Sequence, residues 1–234
     1  QSERLRIFEL GRVFPRVAGE IQQRDAIGGL LAGPVVPPHW DGPRRPVDFF
    51  DAKGDVEALL RRAGVPAPAF EAAERPGLHP GQSARILLDG REAGWVGTLH
   101  PGLAGDLEVG DAVVLFQLDL EVVRAAAGAV PRYRPVPRLP VTHRDLAVVV
   151  PESVPAASLR EMAAQTPLES GLGLMDCRIF DVYTGTGMDP GYKSVGLALT
   201  LQARDETPTD ERIDSAVSAI VGRLSEQVGA QLRG

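Results

Sequence analysis

The sequence predicts an α+β chain, a mostly antiparallel sheet module followed by a βαββαβ sandwich. Three observations carry this. The first 130 residues combine hairpin chemistry with one firm helix, which suits an antiparallel sheet. Prolines at 131, 135, 137 and 140 then break every regular pattern. Beyond them come strand, helix, two strands, helix and a short last strand, in that order.

In the first part, Leu5-Arg-Ile-Phe-Glu-Leu10 reads as a strand, and Ala26 to Ala32 as another, weakened by its glycines. Residues 51–63 read as a helix. Asp51 is placed to cap it, Asp55 and Glu57 suit its first turn, Arg61 and Arg62 its last, and Gly64 and Pro66 stop it. Ala84 to Leu88 and Glu92 to Leu99 flank Asp89-Gly90, a pair that tolerates the positive φ angles of a two-residue hairpin turn. Ala112 to Leu120 is a further strand. Between Val123 and Pro140 an Ala-rich stretch leads into the prolines and predicts a stiff, extended connector. The expected domains are therefore 1–123, a linker over 124–140, and 141–234.

In the second part, Leu146 to Val150 is a buried strand, and residues 153–166 form a helix with Leu159, Met162 and Ala163 on one face. Leu174 to Thr184 is a strand, the loop 185–191 turns the chain, and Lys193 to Ala203 is its partner. Val195, Leu197, Leu199 and Leu201 alternate there with Ser194, Gly196, Ala198 and Thr200 in strict period two. Thr207-Pro208-Thr209-Asp210 opens a long helix with Thr at the cap and Pro in the first turn. Its apolar stripe is Ile213, Val217, Ile220, Leu224 and Val228, and Gly229 ends it before a short strand at 231–233. This is the ferredoxin-like arrangement, with both helices on one sheet face and the other face open.

Composition narrows the function. The 234 residues carry 25 basic and 31 acidic groups, net −6, and only Lys53 and Lys193 are lysines. That balance disfavours a globally basic polymer binder but leaves room for a local basic patch. One cysteine, Cys177, cannot form an intrachain disulfide, which predicts a reducing compartment, the cytoplasm. The longest apolar runs are about five residues against the ~20 that span a bilayer, and no signal segment opens the chain. Gln1 followed at once by an element interior reads as a piece of a longer protein.

The open face of the second domain is where chemistry is expected. If Phe180 and Val182 point to the helices, Asp181 and Tyr183 point outward together, and Ser194 lies on the outward set of the next strand. An aromatic flanked by a carboxylate and a hydroxyl on an open sheet suits an unstacked base, the ring stacking and the polar groups addressing base edges. Tyr183 covering the sheet edge is the alternative. Ahead of the strand, Arg132, Arg134, Arg138, His143 and Arg144 cluster around Tyr133 without an acid until Asp145. Such a stretch either neutralises phosphates or is a solvated linker paired with nearby acids.

The motifs Pro137-Arg-Leu-Pro140, Arg144-Asp145, Phe180-Asp-Val-Tyr-Thr-Gly185, Lys193-Ser194 and Arg204-Asp205 resemble the ferredoxin-fold anticodon-binding domain that ends bacterial phenylalanyl-tRNA synthetase β subunits. Phe8-Glu-Leu-Gly11, Val47 to Gly54, Leu78 to Ala84 and Gly94 to Pro101 resemble the preceding module of that family, in the same order. The resemblance implies that the first domain is a non-catalytic class II synthetase-like scaffold. Its Gly94 to Pro101 segment lacks the arginine with which catalytic class II chains hold ATP. It implies further that Asp181, Tyr183 and Ser194 contact the tRNA(Phe) anticodon and that Arg138 and Arg144 hold phosphates, with Arg144 alternatively pairing with Asp145. The implied partners are tRNA(Phe) and a synthetase α subunit in an α2β2 heterotetramer, with no membrane and no DNA. The full enzyme uses ATP and Mg²⁺; this part carries no catalytic residue, no metal and no cofactor, and is expected to be inactive alone.

Other features receive plainer readings. His79-Pro80 and His100-Pro101 lack zinc-ligand spacing and read as turns. Asp48, Asp51, Asp55 and Glu57 read as helix-end charges rather than Mg²⁺ ligands, and Cys177 as a core residue. Two further function classes fit the fold pattern: an amino-acid-binding regulatory module, which usually binds through glycine at the first strand–helix junction where this chain has Pro151-Glu-Ser-Val-Pro155, and an acid–base enzyme using Asp48, Asp51 or His79.

Overall fold

The structure, a computed structural model, describes residues 4–37, 40, 45–65, 68–109, 113–128, 139–203 and 206–233. The chain divides into two compact units, Gln1–Tyr133 and Arg134–Gly234. Every strand pairing within the described residues is antiparallel, and no sheet runs through both units.

In the first unit, β1 (Leu5–Val13), β4 (Arg24–Ala32), β5 (Ala69–Ala72), β6 (Leu78–Leu88), β7 (Arg91–Leu99) and β8 (Val113–Asp119) form one sheet in the order β1-β4-β8-β7-β6-β5. A small hairpin, β2 (Arg16–Val17) and β3 (Glu20–Ile21), extends from β1. The Asp89-Gly90 turn forms as its residue types demand, with φ of 48° and 76°. Helix α1 (Phe49–Arg62) lays Ala52, Val56 and Leu60 on the sheet against Ile27, Ile86, Val96 and Leu118. It starts two residues before the expected point, and Asp48, not Asp51, is its N-cap. Asp51 completes a reciprocal capping box: Asp48 Oδ1 accepts from the amides of Phe50 and Asp51, while Asp51 Oδ2 accepts from the amide of Asp48. Arg45 grips Asp51 with both guanidinium nitrogens and holds its carboxyl below the usual carboxylate range.

Two short helices fall where the sequence suggested none. In α2 (Pro101–Asp106), His100 is the N-cap, its Nδ1 accepting from Gly102 N–H, so this His-Pro pair makes a helix start. Helix α3 (Leu120–Ala126) occupies the beginning of the expected linker, because Asp119 caps it and Val122 and Val123 find places in the core. The proline stretch 131–137 lies outside the described residues.

The second unit holds β9 (Thr142–Pro151), α4 (Ala156–Ala164), β10 (Leu172–Tyr183), β11 (Tyr192–Ala203), α5 (Asp210–Val228) and β12 (Gln231–Leu232), with strand order β10-β11-β9-β12. This is the expected βαββαβ sandwich. Its core takes Leu146, Val148 and Val150 from β9, Val195, Leu197 and Leu199 from β11, Leu159 and Ala163 from α4, and Ile220 and Leu224 from α5. Both helices therefore cover one sheet face. Thr209, not Thr207, caps α5, and Pro208 precedes the cap rather than standing in the first turn. Gly229 closes the helix in a left-handed conformation, φ 66°. Cys177 is buried in this core, and its burial pushes the thiol pKa up.

Candidate nucleic-acid interface

Strand pairing assigns each side chain to a face, because directly paired residues project to the same side. Leu197 and Val195 belong to the helix-covered core, so their neighbours Gly196 and Ser194 project to the helix-free face. Asp181 pairs with Gly196 and Tyr183 with Ser194, so both project to that face too. On the other side of β11, Gly196 pairs with Ala147 and Ser194 with Val149. Gln231 of β12 pairs with Val149, and the amide of Arg233 donates to the carbonyl of Ala147 at 2.8 Å. Two rows thus cross the open face. One is Asp181, Gly196, Ala147 and Arg233; the other is Tyr183, Ser194, Val149 and Gln231. Gly196, Ala147 and Ser194 form a floor of small residues between longer side chains on β10 and at the C-terminal strand.

The structure corrects the expected placement of Phe180. A β-bulge falls between Ile179, which pairs with Leu197, and Asp181, which pairs with Gly196. The extra residue breaks the alternation, and Phe180 joins Asp181 on the open face. Its ring lies over Gly196, where an added Cβ would come 2.7 Å from the nearest ring atom, and the side chain is 53% exposed. Val182 does pair with Val195 on the helix side but stays half exposed. Ser194 occupies the expected face yet is only 4% exposed, which makes it floor rather than an outward hydroxyl.

Tyr183 is fixed on two sides. Its hydroxyl donates to the carbonyl of Thr186 at 3.0 Å, tying the ring to its own hairpin loop. The guanidinium of Arg233 stands over the ring, 5.5 Å from its centroid. Sequence reasoning missed Arg233. The signal was present in the topology: a strand after Gly229, laid beside β9, sends alternate residues of Gln231-Leu-Arg233 to the open face.

Arg144 is not brought to this site. It pairs with Leu199 and shares the parity of Leu146 and Val148, so it projects to the helix-covered side. There its guanidinium lies 3.2 Å from the Asp210 carboxylate at the start of α5. Asp145, its suggested partner, pairs with Ala198 on the opposite face. Arg138, with Arg132, Tyr133, Arg134, Arg204 and Asp205, lies outside the described residues. Beyond the two rows, His143 on the open face contacts Thr200, Nδ1 to Oγ1 at 3.3 Å.

The comparisons agree with the two-unit fold. Residues 1–120 match the family model described as phenylalanyl tRNA synthetase beta chain CLM domain, and residues 137–233 match the ferredoxin-fold anticodon binding domain. The chain belongs to the phenylalanyl-tRNA synthetase β-chain family. Among its curated relatives, the phenylalanine–tRNA ligase β subunits of Methylococcus capsulatus and Nitrosococcus oceani are 43% and 39% identical over 100% of this chain. In both cases the chain spans 29% of the relative's length. Among solved structures, pyrrolysyl-tRNA synthetase from Desulfitobacterium hafniense superposes with a TM-score of 0.37 at 15% identity, covering 53% of this chain and 41% of that one, a likeness too distant to bear on function.

Proposed function

We propose that this chain is the C-terminal part of a phenylalanine–tRNA ligase β subunit and that the open face of its second unit binds the anticodon region of tRNA(Phe). The observation that carries this is the row arrangement. Tyr183 and Asp181 stand together on a helix-free sheet face, with the small residues Ser194 and Ala147 on the same face, within the segment that matches an anticodon-binding domain. Tyr183 stacks the base, and Asp181 accepts from base N–H donors, a suitable match to the N1–H and N2–H₂ edge of guanine. The first unit acts as scaffold for the assembled α/β enzyme, in which the α subunit carries aminoacylation with ATP and Mg²⁺ in the cytoplasm. Its edge strand supports an assembly role: β1 leaves Ile7, Phe8 and Leu10 exposed, Phe8 at 71%, and Phe14 follows at 61%.

The test is tRNA binding by the assembled enzyme, with cognate tRNA(Phe) and an anticodon-substituted tRNA. Tyr183→Ala is expected to weaken both by about 1–3 kcal/mol, the worth of one base–aromatic stack. Asp181→Ala is expected to erode discrimination at one anticodon position, because the hydrogen-bonded edge carries the sequence information. Wild-type binding by both variants would refute the assignment.

A further inference from the structure

We infer that Arg233 is a recognition residue of the same site, a movable second wall that closes over the base stacked on Tyr183; this rests on the reading of the open face as the anticodon site. The backbone of Arg233 is anchored by its amide to Ala147 beside β9, whereas Tyr183 stands on β10, two strands further across the sheet. The side chains bridge that span above Ala147 and Ser194, which are too short to obstruct them. The guanidinium ends 5.5 Å from the Tyr183 ring centroid. Two stacked contacts of about 3.5 Å each need about 7 Å, so a base enters between ring and guanidinium when Arg233 lifts by about 1.5 Å.

That movement is small for a residue that follows a strand of only two residues. A guanidinium plane stacks on a base as an aromatic ring does, and its charge sits where RNA brings negative charge. Arg233 also supplies the cation that Arg144, on the other face, does not.

The experiment is tRNA(Phe) affinity of the assembled enzyme with Arg233→Ala, Arg233→Lys, Tyr183→Ala and the Arg233→Ala/Tyr183→Ala double variant. It is run on the intact transcript and on one made abasic at the first anticodon position. Arg233→Ala is expected to weaken binding about fivefold to thirtyfold. Arg233→Lys, which keeps the charge but loses the plane, recovers less than half of that loss on a logarithmic scale. The double variant loses less than the product of the two single effects, and the Arg233→Ala effect disappears on the abasic transcript.

Unchanged or tighter binding by Arg233→Ala, with Tyr183→Ala impaired, overturns the wall and leaves the anticodon site standing. An undiminished Arg233→Ala effect on the abasic transcript also overturns it, by making Arg233 a backbone contact. Wild-type affinity in both single variants removes the site itself. Melting curves matching wild type establish that each variant is folded.

Discussion

Gly196→Ala tests the floor of the open face with the smallest possible addition. The new Cβ would lie 2.7 and 2.8 Å from two ring atoms of Phe180 and 3.2 Å from Cβ of Asp181. Contacts that short force the Phe180 ring away, and the ring is half exposed and free to swing at its far end. Alanine in a strand interior gains about 0.5–1 kcal/mol over glycine, and the lost ring contact is of similar size, so the two nearly cancel. The second unit should therefore keep its stability within about 1 kcal/mol, a melting shift of no more than about 8 °C for a domain of this size. Binding should respond far more. The displaced ring turns into the space beside Asp181 and Tyr183, and denying one base its stack weakens tRNA binding by about fivefold to a hundredfold. The assay is a tRNA(Phe) titration of the assembled enzyme, with melting curves on the same preparations. Adding Phe180→Ala to Gly196→Ala removes the clash and should restore most of the affinity. Wild-type affinity in the single variant refutes the floor as a contact surface, and a stability loss above about 3 kcal/mol refutes the free ring.

In the first unit, Gly94→Ala should be severe, because its Cβ would stand 1.9 Å from the carbonyl oxygen of Gln117 at a φ of +158°. The β7–β8 ladder must open, at a cost of about 3 kcal/mol or more, and an unchanged urea midpoint would contradict the pairing of Gly94 with Leu118. Asp51→Asn should cost about 1 kcal/mol at neutral pH by weakening the capping box and the Arg45 pair. The folded-state pKa of Asp51 is depressed below the unfolded value of about 3.9, so this contribution is complete above that value and lost as pH falls through the folded one. The gap between wild type and variant in urea unfolding should therefore shrink between pH 5 and pH 3, and an equal gap at both would show that the Arg45 pair is not its source.

The fold was legible wherever one periodicity ran unbroken. Val195 to Leu201 alternate cleanly because β11 is a central strand with one face buried, and the structure places those residues as the alternation requires. The α5 stripe was equally clear, although Ala216 joins the core where Val217 was expected to dominate. Capping positions were missed by two or three residues, since Asp48 and Asp51, or Thr207 and Thr209, are chemically equivalent candidates and only the path of the preceding chain chooses between them. Helix α3 was hidden because an Ala-rich run is compatible with connector and helix alike until Val122 and Val123 are seen to reach the core.

The site shows a different limit. Asp181 and Tyr183 were correctly placed together even though the premise about Phe180 was wrong, because the bulge precedes both and moves neither relative to the other. A bulge leaves no mark in residue type; the one trace is Gly196, a strand-interior glycine opposite the extra residue, where a ring comes close to the backbone. The two arginines make the same point about charge. Arg144 adjoins a basic run in sequence, yet strand alternation turns it to the helix side, where Asp210 takes it. Arg233 stands far from that run and reaches the Tyr183 ring because β12 returns the chain to β9. Clustering along the chain therefore says little about which charges meet on a sheet. Row membership decides it, and row membership comes from topology. On that ground the last strand does more than close the sheet edge: it delivers the one guanidinium that the described residues place against the Tyr183 ring.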